Sequence, residues 1–192
     1  MEDRLKKYIE YICGMAVILF LLIKIFFDFI NKDIALTDAI AYTTTATSFI
    51  ALVYISFLWK YNPFEKIPKI YGEYKGILVS NYDNIERNID VIIHQNLFEI
   101  RILLNSNESS SKSITANIYT EYGTQMLSFG YINNPKALKK DTSPIHYGMC
   151  ILEIKNKNTL EGQYFTDRHT LGDIKLQNIK LEENNEKKIR IK

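Results

Sequence analysis

The sequence predicts a two-helix transmembrane hairpin followed by an all-β cytoplasmic domain, a compact up-and-down antiparallel barrel of about eight strands. Three observations carry this. Two apolar runs, each about 20 residues long and so able to cross a bilayer core as a helix, lie within residues 1–62. The composition then shifts once, to a charged sequence rich in Asn and Tyr. Beyond the shift, short segments of alternating apolar and polar residues are separated by turn residues, and helical periodicity is absent.

The first span is expected over about residues 11–30, from Tyr11 to Ile30. It has no small-residue cleavage site and a second span follows at once, which argues against a secretory signal. The second span, about residues 39–59, carries no charged side chain and ends in Trp59-Lys60-Tyr61, an aromatic and basic group suited to headgroup level. Arg4, Lys6 and Lys7 precede the hairpin and Lys60, Lys66, Lys69 and Lys75 follow it, whereas Lys32 is alone in the connecting loop. The positive-inside rule then places both ends in the cytoplasm. Thr43, Thr47 and Ala51 share one helical face, where small and hydroxyl side chains allow close helix approach. That face either packs the two helices of one chain together or joins neighbouring chains into an oligomer.

Residues 63–69, with Pro63 and Pro68, read as a linker, residues 70–181 as the barrel and residues 182–192 as a charged tail. The expected strands are Tyr71–Tyr82, Arg87–Gln95, Phe98–Asn105, Ser113–Glu121, Gln125–Asn133, Ile145–Lys155, Thr159–Arg168 and Gly172–Leu181. Turns are expected at Tyr82-Asp83-Asn84, Ser106-Asn107-Glu108, Tyr122-Gly123, Asn133-Asn134-Pro135 and Asn156-Lys157-Asn158. Ile89, Val91 and Ile93, then Ile100, Ile102 and Leu104, then Ile114, Ala116 and Ile118 give each strand one apolar face. Closing such strands into a barrel removes the exposed edges, and about eight strands enclose room for one small ligand.

With 24 basic against 22 acidic side chains, no basic field marks the chain as a DNA or RNA binder. Cys13 and Cys150 offer neither a disulfide framework nor a metal spacing. No phosphate loop, metal-binding His spacing or nucleophile motif is present, so a non-enzymatic role without cofactor or metal is expected. Alternation places Gly162, Tyr164, Thr166 and Arg168 on one strand face. An aromatic ring, a hydroxyl and a guanidinium together can stack a base and hold a phosphate. Tyr164 as a core ring and Arg168 as a rim charge is the competing structural reading. The run Ser109–Ser113, with Ser109 and Ser111, sets hydroxyls beside Lys112 as an anion contact or as a solvated turn. Gln95, Tyr119, Tyr131 and His146 complete a set of polar or aromatic strand residues.

In order along the chain, the hairpin is followed by Gly72-Glu73-Tyr74-Lys75-Gly76, His94-Gln95, the Ser109–Ser113 run, Tyr131 with Asn133-Asn134-Pro135, His146-Tyr147-Gly148 and Leu160 through Arg168. This order resembles the two-transmembrane β-barrel effectors of bacterial CBASS anti-phage systems, the SMODS-associated type. The resemblance implies a cytoplasmic barrel that binds a cyclic dinucleotide made by a cognate nucleotidyltransferase. It further implies self-association of the hairpins, contact with inner-membrane lipids, membrane disruption and death of the infected cell. Tyr74 stands where a tryptophan is expected in this family and joins Gln95, Ser109, Ser111, Tyr131, Tyr164, Thr166 and Arg168 as the expected ligand set. Two other functions fit the same composition: a membrane-tethered, lipocalin-like carrier of an apolar ligand, and a structural scaffold.

Overall fold

In the computed structural model, residues 2–141, 143–156 and 158–179 are described, with side chains from residue 5 onward. The chain divides into two units, Met1–Glu65 and Lys66–Lys192.

In the first unit, α1 spans Glu2–Phe29 and α2 spans Leu36–Ser56, followed by a 3₁₀ turn at Leu58–Tyr61. Both helices are long and apolar enough to cross a membrane. The first starts well before the expected residue 11, because Leu5, Tyr8 and Ile12 prolong its apolar stripe at helical spacing. The second starts earlier as well, with Asp38 in its first turn, where the helix dipole favours a carboxylate. Ala39, Thr43 and Thr47 are the buried residues of α2, and Ala51 is half-buried. The Thr43 hydroxyl donates to the Ala39 carbonyl at 2.8 Å, which satisfies it within its own helix. Tyr8 is buried and Ile12, Met15, Leu19 and Ile23 are half-buried along one stripe of α1, whereas Val17, Leu21 and Ile25 are exposed. Within one chain, the small-residue face of α2 is therefore spent on packing the hairpin.

The second unit is a closed barrel of eight strands: β1 Gly72–Ser80, β2 Glu86–Gln95, β3 Ile100–Ser106, β4 Ser109–Glu121, β5 Thr124–Pro135, β6 His146–Asn156, β7 Thr159–Thr166 and β8 Leu171–Asn178. Each strand pairs antiparallel with the next, and β8 returns to β1, so every strand has a neighbour on both sides; the β3–β4 ladder is the short one, covering Leu103–Asn105 and Ser110–Lys112. Tyr122 and Gly123 both take positive φ, +46° and +83°, which gives the two-residue β4–β5 hairpin its mirror-image turn.

Of three departures from the expected strands, the first two have one cause, the ladder's power to recruit residues of poor β propensity. Ser109–Lys112 is strand, not turn, because it pairs with β3 on one side and β5 on the other. Asn133-Asn134-Pro135 likewise ends β5 instead of forming a turn. A bulge between Ser113 and Thr115 leaves Ile114 unpaired and 61% exposed, off the apolar face expected for it. The bulge resets the alternation, so that Ser111 faces inward and Lys112 outward. The expected end of β8 at Leu181 and the tail 182–192 fall outside the described residues.

Inward-facing side chains change character along the barrel axis. On β5 the buried positions run Leu127, Phe129, Tyr131, Asn133, from apolar to polar. The apolar end is closed by the segment leading into β1. Ile70 is fully buried there, its N–H donates to Gln95 Oε1 at 2.9 Å, and Gln95 Nε2 donates to the Pro68 carbonyl at 2.8 Å. The Tyr74 hydroxyl donates to the Ile70 carbonyl at 2.9 Å. Every buried polar group named in this plug has a partner, as burial requires. The other end gathers the β1–β2, β3–β4, β5–β6 and β7–β8 connections.

Candidate ligand-binding site

At that second end the barrel opens into a cavity of about 320 Å³. Its floor is apolar: Leu78, Ile89, Leu104, Phe129, Cys150 and Ile174. Its rim carries hydroxyls and charges, among them Ser109, Ser111, Thr166, Arg87, Lys139, Arg168 and one acid, Glu108. An apolar floor with few, placed polar groups is the usual make-up of a ligand pocket.

Two tyrosines create the space. Tyr131 faces Gly148 across β5 and β6, and Tyr164 faces Gly172 across β7 and β8. A Cβ on Gly148 would lie 2.3 Å from Tyr131 Cζ, and one on Gly172 would lie 2.4 Å from Tyr164 Cε1. Each ring therefore rests against a strand that has no side chain at that point. Rings laid along the wall leave the middle of the barrel open. Burial raises the pKa of the Tyr131 phenol, with Cys150 and Tyr164 adding to the rise, and it raises Tyr164 against a hydrogen bond from Ser80. Both stay neutral phenols near neutral pH, and phenols can donate as well as accept. Burial also pushes the Cys150 thiol up, so it is a packing residue and no nucleophile.

On the β4–β5 wall, the Ser111 hydroxyl donates to Asn133 Oδ1 at 2.9 Å. On the β7–β8 side, the Thr166 and Thr170 hydroxyls are 2.6 Å apart. Arg168 is not on a strand: β7 stops at Thr166, and His169 closes a short turn with φ of +61°. The turn still brings the guanidinium to the rim, where Nη1 donates to Ser143 Oγ at 3.0 Å and lies 3.5 Å from His146 Nδ1. Opposite, Arg87 holds Asp83 at 2.5 and 3.0 Å, and this hydrogen-bonded pair draws the Asp83 carboxyl down to about 2. Glu108 lies between two cations, 3.6 Å from Arg87 Nε and 3.2 Å from Lys139 Nζ.

The structure brings Ser109, Ser111, Tyr131, Tyr164, Thr166 and Arg168 together at this cavity. Tyr74 and Gln95 do not line it; they belong to the plug at the far end, where their polar atoms hold the backbone of residues 68–70. Arg87, Glu108 and Lys139 line the cavity without having been singled out in the sequence, and Asn133, read there as a turn residue, lines it as well. Arg87 left a signal there: it stands in phase with the inward Ile89, Val91 and Ile93. The same phase takes in Gln95, and alternation alone does not say which end of β2 is open. Lys139 lies in the 3₁₀ turn Ala137–Lys139, where no periodicity points to a face. Among the described residues no group of three or more His, Cys, Asp or Glu side chains could hold a metal ion.

Residues 65–178 match the family described as Cap15, cyclic dinucleotide receptor domain. The chain is also 35% identical over 184 residues to CD-NTase-associated protein 15 of Staphylococcus schleiferi, covering 94% of this chain and all of that one.

Proposed function

The chain belongs to the Cap15 family of cyclic dinucleotide receptors, CBASS effectors, and from that premise we propose that its cavity binds the cyclic dinucleotide made by a cognate nucleotidyltransferase. The observation that carries the assignment to this cavity is its polarity: an apolar, tyrosine-walled interior beneath a rim of three cations and several hydroxyls. About 320 Å³ is at the small end of ligand pockets, so a base enters beside Tyr131 and Tyr164 while the phosphates stay at the rim. Stacking on an aromatic side chain contributes about 1–3 kcal/mol per base and tolerates any base. Arg168 is the guanidinium that meets a phosphate, with Ser109, Ser111 and Thr166 supplying hydroxyls. The carrier alternative called for a cavity of apolar lining alone, and the scaffold alternative for a filled interior; neither description fits this cavity.

The output proposed is membrane disruption. Both ends of the hairpin face the cytoplasm of a bacterial inner membrane, and ligand binding favours an associated state of several hairpins, since two helices cannot enclose a channel. Ligand shifts that equilibrium only by its differential affinity for the two states. Because Thr43, Thr47 and Ala51 pack the hairpin itself, association uses the apolar faces exposed in one chain, such as Val17, Leu21 and Ile25, or requires the hairpin to repack. The test is calorimetry and mass measurement of the full chain in lipid nanodiscs or detergent with a panel of cyclic dinucleotides. Saturable binding with growth in oligomer size is expected. Absence of binding across the panel overturns the receptor assignment, and binding without association overturns the proposed output.

A further inference from the structure

The cations at the rim are unequally committed. Arg168 contacts the Ser143 hydroxyl and the His146 ring, and among the described residues no carboxylate pairs with it. Arg87, whose Nη1 and Nη2 are already held by Asp83, presents its Nε to Glu108 Oε2, and Glu108 Oε1 engages Lys139. Among the described residues Glu108 is the one acidic side chain in the cavity lining, and it is held there by its backbone. Its N–H donates to Ser106 Oγ at 3.1 Å, and its carbonyl accepts from the Lys136 N–H at 2.9 Å, which ties the β3–β4 turn to the β5–β6 loop.

We infer that Glu108 competes with ligand phosphate for Arg87 and Lys139, so that one phosphodiester docks directly on Arg168 while the other must displace an internal carboxylate. This deepens the receptor assignment proposed above and rests on it. The physical reason is charge accounting at short range. A phosphate oxygen and a carboxylate cannot share the same two cations without like charges facing each other at the rim, where solvent screens them only partly. A half-exposed pair such as Glu108–Lys139 is weak enough to be exchanged, since surface ion pairs contribute little. The rim thus admits a dianionic ligand and disfavours a monoanion, which gains Arg168 alone and leaves Glu108 in place.

The experiment measures affinity of the full chain, in detergent or nanodiscs, for the cyclic dinucleotide that the wild type binds best, and for the mononucleotide monoester of the same base at a pH where it is largely singly charged. Glu108→Gln keeps the shape and removes the charge, and Glu108→Ala serves if the glutamine variant folds poorly. Glu121→Gln, at the opposite end of the barrel, removes the same charge elsewhere. Competition predicts cyclic dinucleotide binding tighter by about 3- to 20-fold for the Glu108 variants, with little change for Glu121→Gln and for the monoanion. Equal or weaker binding by both Glu108 variants overturns the competition and leaves the receptor assignment standing, as does an equal gain in Glu121→Gln. If neither wild type nor variant binds any cyclic dinucleotide, both fail together.

Discussion

At the scale of single residues, the rim separates cations paired with carboxylates, Arg87 and Lys139, from Arg168, which has no carboxylate partner among the described residues. Arg168 lies beyond the end of β7 and contributes no strand pairing, and its contacts are to Ser143 and His146 at the rim, so its removal should leave the barrel intact. Arg168→Ala is expected to weaken cyclic dinucleotide binding about 10- to 100-fold, the worth of a charge-assisted hydrogen bond, with an unchanged circular dichroism spectrum. Calorimetry showing wild-type affinity would remove Arg168 from the site. Asp83 does the opposite work: it has a folded-state value of about 2 against the ordinary 3.8, chiefly through its hydrogen bonds with Arg87. A depressed carboxyl stabilises above its unfolded value, and that contribution is lost as pH falls through the folded value. Melting temperature should therefore drop between pH 4 and 2 through this pair, and Asp83→Asn should flatten that part of the profile. An identical profile in the variant would mean the pair contributes nothing. Of these residues, alternation marks Arg168 as a strand residue, whereas it reaches the rim through the turn after β7. Arg87 and Lys139 were not singled out, since a cation at a strand start or in a loop looks solvated until the other strands surround it.

At the scale of elements, β4 shows how a ladder overrules local pattern. Read by alternation, Ile114, Ala116 and Ile118 form one apolar face; the bulge turns Ile114 out and keeps Ile118 buried at 6% exposure. Ile114→Ser should thus change stability by less than about 0.5 kcal/mol, and Ile118→Ala should cost about 2–5 kcal/mol in urea unfolding of the full chain. Similar losses for the two would place Ile114 back in the core. The bulge has a functional consequence as well, because it sets the phase that presents Ser111 to the cavity and Lys112 to solvent. Turns whose geometry depends on a local residue were visible, as at Tyr122-Gly123. Of the two readings of the Ser109–Ser113 run, the solvated turn fails because at Ser110–Lys112 serine's local preference for turns yields to hydrogen bonding with strands on both sides.

At the scale of the whole molecule, the plug and the mouth lie at opposite ends of one barrel, and the chain enters at the plug. Gln95 clamps Pro68 and Ile70, so the segment that follows the hairpin is part of the barrel's closure and no free tether. The hairpin is proposed as the output, which predicts that residues 66–192 expressed with an active nucleotidyltransferase bind the messenger yet leave membrane potential and growth unaffected, while the full chain depolarises the cell. Depolarisation by the truncated chain would assign the toxicity to the barrel.

The sequence by itself determined the division into an apolar hairpin and a β domain, the number of strands and most inward positions. Those follow from length, composition and alternation, which are local properties. The tertiary structure decided which end of the barrel is open, and with it that Gln95 and Tyr74 serve the plug while Arg87, Glu108 and Lys139 serve the rim. It also shows Thr43 and Thr47 buried within a single chain. The physical reason is common to all three: each depends on which distant segments close around a side chain, and the period-2 alternation of a strand is the same at both of its ends.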